Sequence, residues 1–208
     1  MTLKSKLCGF SDLKTLNYAI NHPYAPSLIG FIVNFPKSKR YVENDKLKNL
    51  LEIDKKKTQF VGVLVKPTFE DLEKIKNLPF DYYQIYDCNF NEIKAIKTNY
   101  NKKIISAITV EKKEDVNKYK DFISVSDIIL FDSKGYEKSK SWNHNWLKDV
   151  AYTNKMIAGN IQFDDNIDKF KNIAKYIDIS GGIETSGFKD ISKINIFLNK
   201  LEKVNNEN

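Results

Sequence analysis

The sequence predicts an α/β fold, a (β/α)8 TIM barrel built as a single compact domain over residues 1–208, and three observations predict it. Short runs of Ile, Val, Leu and Phe alternate with longer amphipathic stretches along the whole chain, the pattern of a parallel sheet with crossover helices. Eight such strand-then-helix repeats can be read, and none leaves spare length for a second domain. At 208 residues the chain is shorter than the ~250 usual for such barrels, so this one is expected to be compact.

Each element has its own reason. The first strand, Ser5 to Phe10, ends on the Cys8 thiol, a glycine and a turn; Ser11-Asp12 followed by Leu13, Leu16, Tyr18 and Ile20 reads as an N-cap opening an apolar helical stripe. Leu28 to Val33 is a continuous apolar run suited to a strand buried on both faces, and residues 34–42 form a polar loop too long for a minimal connection. A helix over 43–54 precedes strand Gln59 to Val65, which Pro67-Thr68 ends while capping helix Phe69 to Asn77. Strand Tyr82 to Tyr86, helix Phe90 to Thr98, strand Lys103 to Ile108 and helix Lys112 to Tyr119 continue the alternation. Strand Asp127 to Asp132 ends on a carboxylate and opens into a lysine- and serine-rich loop from Ser133 to Ser141. Helix Asn145 to Ala151, strand Lys155 to Gly159, helix Asp164 to Ala174, strand Tyr176 to Ser180 and helix Ile191 to Val204 complete eight strands and eight helices.

Composition narrows the partners. A hydrophobic content of 41%, with 12% aromatic residues, is enough for one well-buried core. The net charge of +7 arises from 34 Lys and Arg against 27 Asp and Glu, yet lysine is dispersed and Arg40 is the only arginine. Arginine is the residue that reads base edges, so the balance argues against nucleic acid and for a small anionic substrate. Cys8 and Cys88 lack metal-ligand spacing and read as reduced thiols of a cytoplasmic protein. The longest apolar stretch, Ser27 to Val33, is too short to cross a bilayer, and Met1 to Lys6 lacks a signal-peptide core.

In a closed barrel the carboxyl ends of the strands share one rim, and the candidates follow by position. They are Cys8, Arg40, Asp87 and Cys88, Asp132, Gly159-Asn160, and Ser180-Gly181-Gly182. Strands one and six lie on different sides of the ring, so Cys8 and Asp132 are expected to face each other across the mouth, a base and an acid with substrate between. The glycines after strands seven and eight expose backbone N–H groups beside a helix start, where barrels commonly hold phosphate.

The order of the pieces resembles phosphoribosylanthranilate isomerase, the barrel family of tryptophan biosynthesis. Lys6-Leu7-Cys8-Gly9 is similar to the family's K-I-C-G, and Ile29-Gly30-Phe31 with Ser38-Lys39-Arg40-Tyr41-Val42 to its I-G-F and S-x-R-Y-V. Leu130-Phe131-Asp132-Ser133 resembles L-L-D-S, Ala158-Gly159 the start of A-G-G-L, and Asp178-Ile179-Ser180-Gly181-Gly182-Ile183-Glu184 with Lys189-Asp190 the closing D-V-S-S-G-V-E…K-D. The resemblance spans nearly the whole chain.

It implies an Amadori rearrangement of N-(5'-phosphoribosyl)anthranilate, from aminoaldose to aminoketose, without a cofactor. By the same resemblance Cys8 is the general base on the sugar C2 proton, Asp132 the general acid on the ring oxygen, and Arg40 the grip on the anthranilate carboxylate. Lys6 and Arg40 are expected to lower the thiol pKa, and a partly dry mouth to keep Asp132 protonated. The expected partner is a small anionic phosphosugar–anthranilate substrate, with no nucleic acid and no membrane, on a monomer or homodimer. The alternative reading is a non-catalytic or altered-specificity phosphosugar-binding barrel of the same family.

Several positions depart from the family pattern. Lys138-Ser139-Lys140-Ser141 stands where the family has a glycine-rich phosphate loop, so these side chains are expected to supply charge and a hydroxyl instead. His144-Asn145-Trp146 replaces F-D-W, Asn160 replaces the second glycine of G-G-L, and Gln84-Ile85-Tyr86-Asp87 replaces Gln-Leu-His-Gly. The stretch from Glu184 to Gly187 is one residue short.

Overall fold

A computed structural model describes residues 2–133 and 140–207. Eight parallel strands close into a barrel in sequence order: β1 (Lys4–Cys8), β2 (Leu28–Ile32), β3 (Gln59–Val65), β4 (Tyr82–Tyr86), β5 (Lys103–Val110), β6 (Ile128–Ser133), β7 (Lys155–Ile157) and β8 (Tyr176–Ile179). The ring is sealed by β1 against β8, in a register that sets Lys6 opposite Asp178.

Period two along each strand sorts the side chains into two cores. One set, including Leu7, Ile29, Phe31, Phe60, Leu64, Ile129 and Phe131, faces the outer layer of helices. The other, including Leu28, Val61, Ile105, Ile128, Leu130 and Met156, fills the barrel lumen together with Cys8 and Tyr86.

The eight expected strands are present, but the eight expected helices are not. Among the described residues five crossovers or termini are α-helical: α1 (Leu13–Asn21), α2 (Asn44–Leu51), α3 (Phe69–Ile75), α4 (Phe90–Tyr100) and α5 (Ile191–Asn206). Side-chain caps start four of them: Asp12 accepts from the Thr15 N–H, Thr68 with Asp71 and Asn89 with Glu92 form capping boxes, and Asp190 accepts from two amides of α5, while Glu43 before α2 makes no such bond. The closing helix buries Ile194, Phe197, Leu198, Leu201 and Val204, a stripe at α-helical spacing.

Three segments expected as α-helices are instead short 3-10 turns, at Lys113–Asp121, His144–Leu147 and Asp168–Phe170. In and beside the first and last of these, apolar residues recur every third position: Val116, Tyr119, Phe122 and Val125, and Ile167, Phe170 and Ile173. Three residues per turn is the 3-10 period, and the bonds Phe122 N–H to Tyr119 O, Val125 N–H to Phe122 O and Ile173 N–H to Phe170 O follow it. The Asp and Asn residues between them weaken the α alternative.

After β8 the chain makes a two-stranded hairpin, β9 (Glu184–Thr185) with β10 (Phe188–Lys189), before entering α5. Among the described residues no helix is long and apolar enough to cross a membrane.

Candidate active site

The carboxyl ends of the strands enclose a cavity of ≈ 440 Å³. Cys8, Arg40 and Asp132 line it. So do Gly159, Asn160, Ser180, Gly181 and Gly182. Of the other expected rim residues, Asp87 does not line this cavity and Cys88 lines a separate groove outside the barrel, beside Phe69 and Leu72. Lys138 and Ser139 lie outside the described residues. Lys140 does not line the cavity; its backbone N–H donates to Ser133 Oγ at 3.1 Å and its side chain is exposed.

The floor is built by β1 and β8. Lys6, fully buried, donates from Nζ to Asp178 Oδ2 at 2.8 Å, a contact the strand register dictates. Burial works against the Lys6 ammonium, but the charges of Asp178 and Cys8 outweigh it and hold its pKa above the ordinary value. A Cβ at position 30 would lie 2.9 Å from Cys8 Sγ and 3.2 Å from Lys6 Nζ, so the glycine leaves room for sulfur and ammonium side by side.

The expectation that nearby cations lower the Cys8 pKa is corrected. Burial raises the thiol above its usual value, Asp178 adds to the rise, and Lys6 offsets only part of it. The reason is geometric: Lys6 is engaged by Asp178 and Arg40 by Glu184. Arg40 donates through Nε to Glu184 Oε1 at 2.5 Å and through a terminal amino group to Oε2 at 2.8 Å. Lys189 also donates to Glu184 Oε1 at 2.7 Å, and burial draws its pKa down to about 8.

Asp132 sits at the end of β6, its Oδ1 accepting from the Ser133 N–H at 2.7 Å and its Oδ2 from the Tyr86 hydroxyl at 2.9 Å. Burial and then the charge of Asp178 raise its pKa to about 6, against the pull of those two donors and of Lys6.

The glycines after β7 and β8 also serve the packing of the wall. A Cβ on Gly182 would lie 2.0 Å from the Ile161 carbonyl oxygen, and one on Gly159 would lie 2.7 Å from Trp142 Nε1. Both therefore let neighbouring loops pack against the site wall. Trp142 Nε1 and His144 Nε2 donate to the Ala158 carbonyl at 2.8 and 3.1 Å, pinning that wall. No helix starts beside Gly181-Gly182, since the β9–β10 hairpin intervenes.

Sequence reasoning missed the polar group below the thiol. Lys6 and Asp178 each stand two residues before a rim residue, on the same strand face as Cys8 and Ser180. Opposite charges on the lumen face of two buried strands were the signal.

The comparisons agree with this geometry. The family model of N-(5'phosphoribosyl)anthranilate (PRA) isomerase matches residues 5–200. The N-(5'-phosphoribosyl)anthranilate isomerase of Clostridium acetobutylicum is 33% identical over 223 residues, covering 97% of this chain and 98% of the relative. That of Streptococcus mutans is 30% identical over 203 residues, covering 96% and 99%. The crystal structure of phosphoribosyl anthranilate isomerase from Thermotoga maritima superposes with a TM-score of 0.83 at 19% identity, covering 97% of this chain and 99% of that one. A match over nearly the full length of both sequence and barrel places the chain in a single family: it belongs to the N-(5'-phosphoribosyl)anthranilate isomerases.

Proposed function

We propose that the chain, as one barrel domain in the cytoplasm, isomerises N-(5'-phosphoribosyl)anthranilate to the aminoketose 1-(2-carboxyphenylamino)-1-deoxyribulose 5-phosphate in tryptophan biosynthesis. The observation that carries this reading is that Cys8 and Asp132 line one cavity in a member of this family. Asp132 gives its proton to the furanose ring oxygen as the ring C–O bond opens and the nitrogen lone pair forms an iminium. The Cys8 thiolate then takes the C2 proton, and the resulting enolamine tautomerises to the ketone. The atoms of substrate and product are the same, so no cofactor enters the balance.

The rest of the wall fits the two ends of such a substrate. Arg40, held in place by Glu184, offers its remaining N–H groups to the anthranilate carboxylate. Gly159, Asn160, Ser180, Gly181 and Gly182 form the phosphate end, where backbone amides favour an anion. Ser180 Oγ donates to the Cys8 carbonyl at 2.9 Å, tying that end to the strand that carries the base.

Because burial holds the thiol high and leaves the carboxyl at about 6, Asp132 ionises before Cys8. The working pair, thiolate with protonated carboxyl, is then the minor form among the singly protonated states. Below pH 6 each unit drop costs thiolate; between the two pKa values the gain in thiolate cancels the loss of acid. The kcat/KM profile therefore rises through the Asp132 pKa and falls above that of Cys8.

Expression in a tryptophan-requiring strain that lacks the isomerase tests the assignment. The wild-type chain should restore growth without tryptophan, and Cys8→Ala and Asp132→Ala should not. Failure of the wild-type protein, present and folded, would overturn the reading.

A further inference from the structure

The lumen face of β4 carries a short donor chain that the isomerase reading leaves unused. Gln84 is fully buried, and its Nε2 donates to the Tyr86 hydroxyl at 3.1 Å. A phenol has one proton, and an oxygen that accepts from Gln84 turns that proton toward its other neighbour, Asp132 Oδ2 at 2.9 Å. Both residues line the same cavity as Cys8. They also stand where the resemblance noted above has Gln and His, so a hydroxyl here is a feature of this chain's own sequence.

Resting on the assignment of Asp132 as the acid, we propose that Tyr86 is a positioning residue: fixed by Gln84, its hydroxyl orients the Asp132 carboxyl and stabilises the carboxylate left after the proton is delivered. A hydrogen bond from a neutral donor to a carboxylate favours the ionised form, so Tyr86 makes Asp132 a stronger acid than burial alone would allow. Among the described residues, groups on four strands act on Asp132. Asp178 on β8 opposes ionisation, while Lys6 on β1, the Ser133 amide on β6 and Tyr86 on β4 favour it. Cys8 and Asp178 also face the phenol, whose own pKa burial and the neighbouring carboxylates push well above the ordinary value. The phenol therefore stays a donor throughout the working pH range.

The direct test is a carbon-13 NMR titration of Asp carboxyls in the ligand-free protein, with the Asp132 signal identified by its loss in Asp132→Asn. In Tyr86→Phe, confirmed folded by circular dichroism, the Asp132 midpoint should move up by about one pH unit. In Gln84→Met, which frees the phenol to rotate, it should move the same way by less, and this variant carries the test if Tyr86→Phe does not fold. With N-(5'-phosphoribosyl)anthranilate as substrate, the lower limb of kcat/KM should move with the midpoint. The substrate phosphate also titrates near pH 6, but it does so equally for both proteins. An Asp132 midpoint in folded Tyr86→Phe equal to wild type would overturn the proposal whether or not the protein turns over substrate. Absence of wild-type turnover would instead sink the function on which the proposal rests.

Discussion

The lower and upper halves of the barrel lumen are made by the same eight strands, yet they are opposite in character. Lower down, Leu28, Val61, Ile105, Ile128, Leu130 and Met156 pack an almost dry apolar plug. Around the floor and wall of the cavity stand Lys6 and Cys8 of β1, Gln84 and Tyr86 of β4, Asp132 of β6 and Asp178 of β8. The plug gains free energy from burial, whereas the polar layer holds charges out of water that only mutual pairing offsets. Two of its acceptors, Gln84 Oε1 and Asp178 Oδ1, have no hydrogen-bond partner among the described residues. Stability is thus concentrated below and chemistry above.

The largest expected effect comes from splitting the polar layer's ion pair. Lys6→Met leaves Asp178 buried without its cation and should cost about 3–5 kcal/mol in denaturant unfolding. The double variant Lys6→Met with Asp178→Leu should recover most of that loss; a double variant as unstable as the single would mean the pair is not the cause.

Leu130→Ala sharpens the contrast from the other side. Leu130 stands two residues before Asp132 on the same lumen face and is fully buried, so the cavity should cost about 2–5 kcal/mol. The pH dependence of kcat/KM should stay where it was, because no charged group has moved. A shifted profile would show that plug and polar layer are not separable.

Asp132→Asn should behave in the opposite way, losing activity while gaining stability. The folded pKa, about 6, is raised above the ordinary carboxylate value of 3.8, so the native state binds the proton more tightly than the unfolded chain. The resulting stabilisation is complete below pH 4 and is lost as pH rises through 6. At neutral pH the wild type carries an ionised buried carboxyl that costs on the order of 2–3 kcal/mol, which the amide avoids. Denaturant melts from pH 4 to pH 8 should show the variant's advantage growing up to about pH 6 and then levelling; a constant difference would contradict the assigned burial.

The strands were legible because a strand buried on both faces has few ways to be written other than as an apolar run, as in Leu28 to Ile32 or Ile128 to Phe131. Three crossovers were misread because apolar residues three apart, such as Ile167, Phe170 and Ile173, satisfy both an α-helix and a 3-10 turn over a short stretch. At the site, the positions of Cys8 and Asp132 followed from strand ends. The electrostatics did not, because lysine and arginine near a thiol lower its pKa only when their charge is not already engaged, and the partners Asp178 and Glu184 lie more than a hundred residues away in sequence. Tyr86 looked like a departure from a family pattern; only the fold brings its hydroxyl to Asp132.

The division of labour is tested most directly by kcat/KM for N-(5'-phosphoribosyl)anthranilate with purified wild type, Cys8→Ala and Asp132→Asn. Turnover in the wild type, with a fall of about 10²-fold or more in each folded variant, is the predicted result. Parental rates in either variant would contradict the claim that the thiol and the carboxyl in the upper lumen carry the reaction.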